Sequence, residues 1–487
     1  MNPAPPDPRR VPSRLRSRTK IVATIGPASE GRIGDLIDAG MDVARINFSH
    51  GEPREHRRRV EAVRGAAGER GRAVGILADI PGPKLRLGRF EGGERTLMEG
   101  EVVRVLQGDA VAGPGEILFD FGGFLQSVAP GHRMMLADGQ AALTVEEVRG
   151  DSVVARVARP GVLGDRKGVH LPDSPLDYEL PTPRDRECVE LAVSLGVDML
   201  GISFVGRAEE VECVRSLAPG MAMVAKIERS LALENLEAIL EASDGVMVAR
   251  GDLGVELDLE RVPIVQKALL RAARDAACFS ITATEMLESM TGQSRPTRAE
   301  VADVANAVLD GTDALMLSAE TAVGSFPVEA VRTMGRVAAE VEGGPDYTDR
   351  SDRSLRREWK IDTADAIAIA AARLSGALEI PRIVCFTESG RSVRLVSRCR
   401  PSAEIIALSP DERVVRQMTV LAHVRPMVFP RVENLEDMLA RASRMLKSER
   451  LVDEGAEIVF VAGVPAGVSR STNLVKVHRV GEDVKLH

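Results

Sequence analysis

The chain has 487 residues, enough for two to four domains, which excludes a peptide ligand or a single small module. Apolar residues make up 44 % and charged residues 28 %, ordinary globular usage, so the chain can bury sizeable cores. Its formal charge of −8 argues against a nucleic-acid binder driven by phosphate neutralisation, so any anionic ligand must be held by locally focused charge.

Residues 1–17, rich in Pro and Arg, are expected as a solvated basic tail, because Pro3, Pro5, Pro6, Pro8 and Pro12 oppose an amphipathic helix. No apolar run reaches the length a bilayer needs, and no apolar signal core follows the basic start, so no membrane partner is expected. The five cysteines, Cys188, Cys213, Cys278, Cys385 and Cys399, are odd in number and far apart. That spacing fits neither a zinc site nor a disulfide framework, and a reducing cytoplasm suits it best.

From Lys20 onward, short β-branched runs alternate with segments of helical period. This is the signature of a parallel sheet with crossover helices. The strand candidates are IVATIG, DVARINFS, AVGILADI, MLGISFV, MVAKIE, GVMVARGD, SITATEM and ALMLSAET. Eight such strands close a (β/α)8 TIM barrel, here over residues 18–87 and 173–345. The helices carry their own punctuation: Thr182 caps, Pro183 fits the first turn and Gly196 follows the last apolar position. Thr297 and Glu300 have capping-box spacing ahead of an apolar stripe that stops before Gly311.

The alternation breaks over residues 88–172, where glycines separate EVVRVLQ, RMMLADG, ALTVEEV and SVVARVA. An all-β insert, a small β-barrel, is expected there. It follows the third strand, on the side where barrel active sites are built, and so has the place of a lid. A polar, turn-rich stretch after Val341 leads to a third domain, α/β in pattern, over residues 358–487. Its strands are expected at RIVCF, AEIIALS, EIVFVAG and NLVKVHRV, with a helix at 434–450.

Polar residues gather where the barrel strands end: Arg45, Asn47 and Ser49, then Asp79, Lys226 with Glu228, Asp252, Thr284, Ser318 and Glu320. Alternation along VAKIE turns Lys226 and Glu228 to the same side, into the barrel mouth. A buried ion pair accounts for those two alone. Asp252 on the neighbouring strand adds a second carboxylate, and together the two acids make oxygen ligands suited to magnesium, with manganese an alternative, leaving the lysine to meet a phosphate. The ARGDLG segment adds backbone donors, since Gly251 and Gly254 allow close approach ahead of a helix expected over 259–276.

These residues resemble the pyruvate kinase family. The motifs run in order from Lys20 to nearly the C-terminus: KIVATIGPAS, DVARINFSHG, GPKLR, RKGVHLP, AKIE, ARGDLGVE, ITATEMLESM, RPTRAEVADVANAVLDGTDALMLSAETAVGSFPVEAV and TNLVKVHRV. The resemblance implies phosphoryl transfer from phosphoenolpyruvate to ADP, giving pyruvate and ATP, in a homotetramer. It implies that Lys226 stabilises the phosphoryl group in flight, that Glu228 and Asp252 hold magnesium, and that Arg45 binds the substrate phosphate. Gly251, Asp252 and Thr284 would receive the substrate, and Thr284 and Ser318 would relay a proton to the enolate. Asn47, His50, Arg86 and Lys167 match the nucleotide-binding positions, and Asn47, Ser49 and Asp79 match ligands of a monovalent cation.

The chain departs from the family pattern in several places. Lys84 stands in GPKLR where potassium-dependent members carry Glu, so activity without potassium is expected. Ile80, Glu285, Ala319, Gly206 and His170 replace the usual Thr, Gln, Gly, Arg and Asn. In the last domain, Thr387, Ser389, Gly390, Arg391 and Ser392 resemble a loop for a sugar-phosphate or nucleotide effector, while the later loop carries Arg470 where Gly is frequent. A lyase or aldolase with the same barrel-end metal, and a retired kinase surviving as a metabolite sensor, are the rival readings. Arg86, Lys167 and the lid weigh against the first, and intact Lys226, Glu228 and Asp252 against the second.

Overall fold

The computed structural model describes residues 17–174, 176, 179–344, 347, 362–432, 434–464 and 472–482. The expected basic tail, apart from Ser17, and Arg470 lie outside the described residues.

Strands β1 (Lys20–Thr24), β2 (Val43–Asn47) and β3 (Gly75–Ile80) open the barrel. The insert follows with β4 (Glu94–Leu97), β5 (Val102–Gln107), β6 (Glu116–Phe119), β7 (Arg133–Leu136), β8 (Ala141–Arg149), β9 (Ser152–Arg159), β10 (Gly161–Gly164) and β11 (Val169–His170). The barrel resumes with β12 (Met199–Ile202), β13 (Ala222–Ile227), β14 (Gly245–Ala249), β15 (Phe279–Ala283) and β16 (Ala314–Leu317). These eight barrel strands are parallel and close in the order β1-β16-β15-β14-β13-β12-β3-β2. All eight coincide with the strands read from the β-branched runs.

The helix ends follow the same chemistry. Thr182 accepts the Asp185 amide ahead of helix Pro183–Leu195, and Gly196 ends it in the left-handed region at φ 63°. Thr297 and Glu300 form the reciprocal box of helix Arg298–Asp310, which Gly311 ends at φ 89°. The helix expected over 259–276 is shorter, Val262–Asp275 preceded by a single tight turn, and ARGDLG coils into its own helix, Arg250–Glu256.

In the insert, β11-β7-β8-β9-β5-β6 form one sheet and β10-β4 a two-stranded ribbon, packed on a shared core that includes Phe119, Phe124, Leu143 and Leu163. The third domain is a five-stranded sheet, β19-β18-β17-β20-β21, built from β17 (Arg382–Phe386), β18 (Glu404–Ser409), β19 (Val424–Val428), β20 (Glu457–Gly463) and β21 (Thr472–Arg479). Helix Leu435–Ser448, capped by Asn434, packs on it where a helix was expected.

This domain closes the N-terminal end of the barrel. Inward-facing Val22, Leu77, Met247 and Met316 form one apolar cluster with Met418, Val420 and Leu421 of the third domain. Around that floor an aspartate precedes every second barrel strand. Asp42, Asp198, Asp244 and Asp313 each accept a backbone N–H from the preceding strand, those of Ile21, Ile76, Met223 and Ser280. Three of them also hold an arginine of the third domain: Asp198 with Arg416 at 2.8 Å, Asp244 with Arg394 at 3.5 Å and Asp313 with Arg400 at 2.8 Å. Pinned floor and apolar cluster together fix which end of the barrel stays open.

Candidate functional site

Side chains alternate along a strand, so each inward apolar residue of the floor is followed two positions later by a residue of the open end. Val22 leads to Thr24, Val43 to Arg45, Leu77 to Asp79, Val224 to Lys226 and Met316 to Ser318. The same step explains why the polar residues converge: the core supplies the near half of each strand and the site the far half.

Lys226 is the hub. Its ammonium lies 2.9 Å from Glu228 Oε1 and 3.2 Å from Asp79 Oδ1, and donates to Ser203 Oγ at 2.7 Å. Burial opposes its charge, but Asp79 and Glu228 outweigh that and hold the ammonium protonated well above the ordinary lysine range. Arg45 grips the other oxygen of Asp79 through Nη2 at 2.6 Å and Nε at 2.8 Å, and donates to Thr24 Oγ1 at 3.0 Å. Burial alone would raise the Asp79 carboxyl, yet the Lys226 and Arg45 charges hold it below the usual carboxylate range. Two cations and two acids therefore share a space almost without solvent, oriented before any substrate arrives.

Glu228 is 1 % exposed, and its second oxygen accepts the Phe204 amide at 2.6 Å. Burial raises its pKa, Lys226 lowers it, and the nearby Asp252 charge raises it again. Two carboxylates that repel each other in one pocket, with Asp252 more open than Glu228, offer hard oxygen donors that a divalent cation relieves. Among the described residues no group of three or more His, Cys, Asp or Glu stands ready to hold a metal. A magnesium ion there would complete its shell with substrate oxygens and water, as its chemistry favours.

Backbone strain marks the same end of the barrel. Phe204 (φ 58°), Thr284 (φ 66°) and Glu285 (φ 54°) are left-handed without being glycine, an arrangement costing on the order of 1–3 kcal/mol each. Arg250 braces the Thr284 turn. It donates to the Thr284 carbonyl at 2.6 Å and the Ala283 carbonyl at 3.1 Å while held by Asp303 at 2.7 Å. The family resemblance implies a Gly251 amide that receives the substrate. In the structure it donates to Thr284 Oγ1 at 2.9 Å, because Gly251 lies in the first turn of the helix and faces that hydroxyl. The Thr284 hydroxyl itself donates to the Ala283 carbonyl. Ser318 begins the short helix Ala319–Ala322, and its amide donates to buried Glu320 at 2.7 Å. Among the described residues no hydrogen bond joins Thr284 to Ser318.

The nucleotide-binding candidates fall in two places. Arg86 and Lys167 are brought together where the insert meets the barrel, since Arg86 pairs with Gly168 and its guanidinium donates to the Arg166 carbonyl at 3.0 Å. Asn47 ends β2, its side-chain oxygen accepting the Ser49 amide at 3.1 Å, and Ser49 and His50 follow, both exposed. Lys84 pairs away from the Lys226 cluster, with the insert and with Asp252. Its ammonium lies 3.8 Å from Asp138 of the insert and 4.0 Å from Asp252.

In the third domain, Thr387 Oγ1 accepts the Gly390 amide and Arg391 opens helix Arg391–Arg398. Arg391 pairs with Asp362 at 2.9 Å, and Ser392 shares a hydrogen bond with Thr472. Ser389 lies on the turn between them.

Ser203, Thr24 and Arg250 were missed by sequence reading. The two-residue step from Gly201 and Val22 was the available signal for the first two. Arg250 had none, because its role depends on the turn of the next strand.

Two family models match the chain: pyruvate kinase, barrel domain, over residues 16–331, and pyruvate kinase, alpha/beta domain, over 365–478. The chain belongs to the pyruvate kinase family. A pyruvate kinase of Mycobacterium tuberculosis is 41 % identical over 475 residues, covering 96 % of this chain and 100 % of that relative. One from Methylorubrum extorquens is 43 % identical over 464 residues, 94 % and 97 % of the two chains. The crystal structure of a pyruvate kinase from Cryptosporidium parvum superposes with a TM-score of 0.90 at 33 % identity over 96 % of each chain. The barrel and the C-terminal α/β domain are those of the family, and its reaction is the glycolytic phosphoryl transfer between phosphoenolpyruvate and ADP.

Proposed function

We propose that the chain performs this transfer with magnesium held by Glu228 and Asp252 and with Lys226 as the group that meets the phosphoryl in flight. The observation that carries this reading is the Lys226 ammonium, locked between Asp79 and Glu228 at the open rim of the barrel. A loose phosphoryl transition state needs placed charge more than covalent help. Magnesium, when bound, would polarise the phosphoryl and carboxylate oxygens of the substrate. Arg45, rigid on Asp79, supplies a fork for the substrate phosphate, and Thr284, on its strained turn, a hydroxyl for the carboxylate end. Thr284 and Ser318 then serve the proton that the enolate needs, through water. Arg86 and Lys167, with Asn47 and His50, take the nucleotide phosphates, and the insert excludes water as it closes.

Potassium is not required in this reading. Lys84 brings a fixed cation to the Asp252 side, while Asn47, Ser49 and Asp79 remain the ligands of any monovalent ion. The loop Thr387–Ser392 would take a phosphorylated effector, a sugar phosphate or a nucleotide. Family kinship, together with exposed Leu259 and Ile264 on the barrel surface, supports a homotetramer, and buried unpaired thiols support a cytoplasmic setting. No helix among the described residues is long and apolar enough to cross a membrane. A coupled assay for ATP formed from ADP and phosphoenolpyruvate, with and without magnesium, tests the reading; carbon–carbon cleavage without nucleotide would replace it with the lyase.

A further inference from the structure

Helix Arg250–Glu256 carries Asp252 and Glu256 four residues apart, so the two carboxylates rise from one face. The insert meets that face through His170, the last residue of β11, at a position where the sequence departs from the family. The imidazole is 4 % exposed, with Nε2 3.8 Å from Asp252 Oδ1 and Nδ1 3.8 Å from Glu256 Oε1. Its Nε2 is buried without a hydrogen bond, a state that native interiors avoid. The surroundings are otherwise satisfied. Glu256 Oε2 accepts from Ser230 Oγ at 3.2 Å, Lys84 bridges Asp138 and Asp252, and the Phe204 ring packs 6.4 Å from the imidazole, centroid to centroid.

Both gaps are longer than a hydrogen bond by less than about 1 Å, so a small advance of the insert makes the contact that burial demands. We propose that His170 is a positioning residue for the transfer: as the insert closes, its Nε2–H donates to Asp252 Oδ1, seating the insert on helix Arg250–Glu256 and orienting the Asp252 carboxylate. Glu256 forms the opposite wall that keeps the ring from turning away. The idea deepens the reading of Asp252 as a site carboxylate, yet its first readout is taken without metal or substrate and therefore stands or falls separately.

The test is hydrogen exchange of the full-length protein, free of metal and nucleotide, followed by steady-state kinetics with magnesium. His170→Leu keeps the bulk and removes the donor. Exchange in peptides covering β7, β10 and β11 should quicken about fivefold or more, because local opening becomes easier. KM for ADP should rise about fivefold or more with kcat changed less, the mark of lost positioning rather than lost chemistry. His170→Asn, which restores an amide donor, should bring both back to within about twofold. Parent-like exchange and KM in His170→Leu would overturn the proposal, as would an Asn variant no better than Leu. Should the Leu variant fail to fold, Asp252→Ala decides in the metal-free exchange, since it removes the acceptor: faster exchange in the same peptides supports the seat and unchanged exchange refutes it.

Discussion

Replacing Lys226 with Met separates the two roles that the hub plays. The substitution keeps the length of the side chain and removes the charge that faces Glu228 at 2.9 Å and Asp79 at 3.2 Å. Asp79 retains Arg45, so the acid left without a counter-charge is Glu228, 1 % exposed and held only by the Phe204 amide among its described bonds. Breaking a buried pair from one side costs about 3–5 kcal/mol. Glu228 is already pushed upward by burial and by Asp252, so it takes up a proton readily and the loss should fall near the lower end, about 3 kcal/mol. Turnover should fall separately, by about 100- to 1000-fold, the value of one preorganised electrostatic group at a transition state. Unfolding followed by circular dichroism and ATP formation at saturating substrates measure the two losses. Lys226→Met/Glu228→Gln removes the orphaned charge and leaves Arg45 paired with Asp79, so it should recover part of the stability but none of the turnover. A Lys226→Met protein within about tenfold of the parent rate, only ~1.4 kcal/mol, would refute the reasoning, and so would turnover that returns together with stability in the double variant.

Three further outcomes are expected. Rates in sodium-free buffer should be the same with and without potassium, whereas Lys84→Glu should become potassium-dependent; strong activation of the parent by potassium would contradict the role given to Lys84. At pH 8, iodoacetamide should label Cys213 alone in the native protein, as read by mass spectrometry, because burial pushes the Cys278 and Cys399 thiols up to about 12 and raises those of Cys188 and Cys385 as well. His423 is buried against the Tyr347 hydroxyl at 2.9 Å, and burial, with Arg18 and Arg400, holds its pKa well below 6.5. The unfolded chain therefore binds a proton that the folded chain refuses, and stability falls as pH drops through 6.5, by up to about 1.4 kcal/mol per pH unit. Thermal melts between pH 7.5 and 5.5 should show this slope, and His423→Gln should make it shallower, His56 and His478, also lowered by burial, keeping the rest.

The barrel was legible because its strands obey two rules at once: continuous β-branched runs bounded by capped helices, and a cluster of inward-facing polar residues where the strands end. The insert was half legible. β5, β8 and β9 carry enough alternation to be seen, and β7 showed through the apolar run Met134–Leu136, whereas β4, β6 and β10 have four residues each and β11 two, too few for a period to show. In the third domain β19 went unseen because Pro426 sits within VRPMV, and proline is tolerated there only because β19 is the edge of its sheet. At the site, Lys226, Glu228 and Arg45 were readable from strand alternation. The Gly251–Thr284 bond, the Arg250 brace and the His170 contact join residues 30 or more apart in sequence; the register of β14 with β15 brings the first two together, and the seating of the insert on the barrel rim the third.

The floor of the barrel has a practical consequence for anyone dissecting the molecule. A catalytic fragment cut after residue 344 would lose Met418, Val420 and Leu421 from beneath Val22, Leu77, Met247 and Met316, leaving a greasy disc open to water. It would also take Arg400 from Asp313, leaving that buried carboxylate without its guanidinium, while Asp198 and Asp244 would keep Arg64 and Arg215 but lose Arg416 and Arg394. Such a fragment should clump on expression, so the enzyme has to be studied with its tail-end module attached.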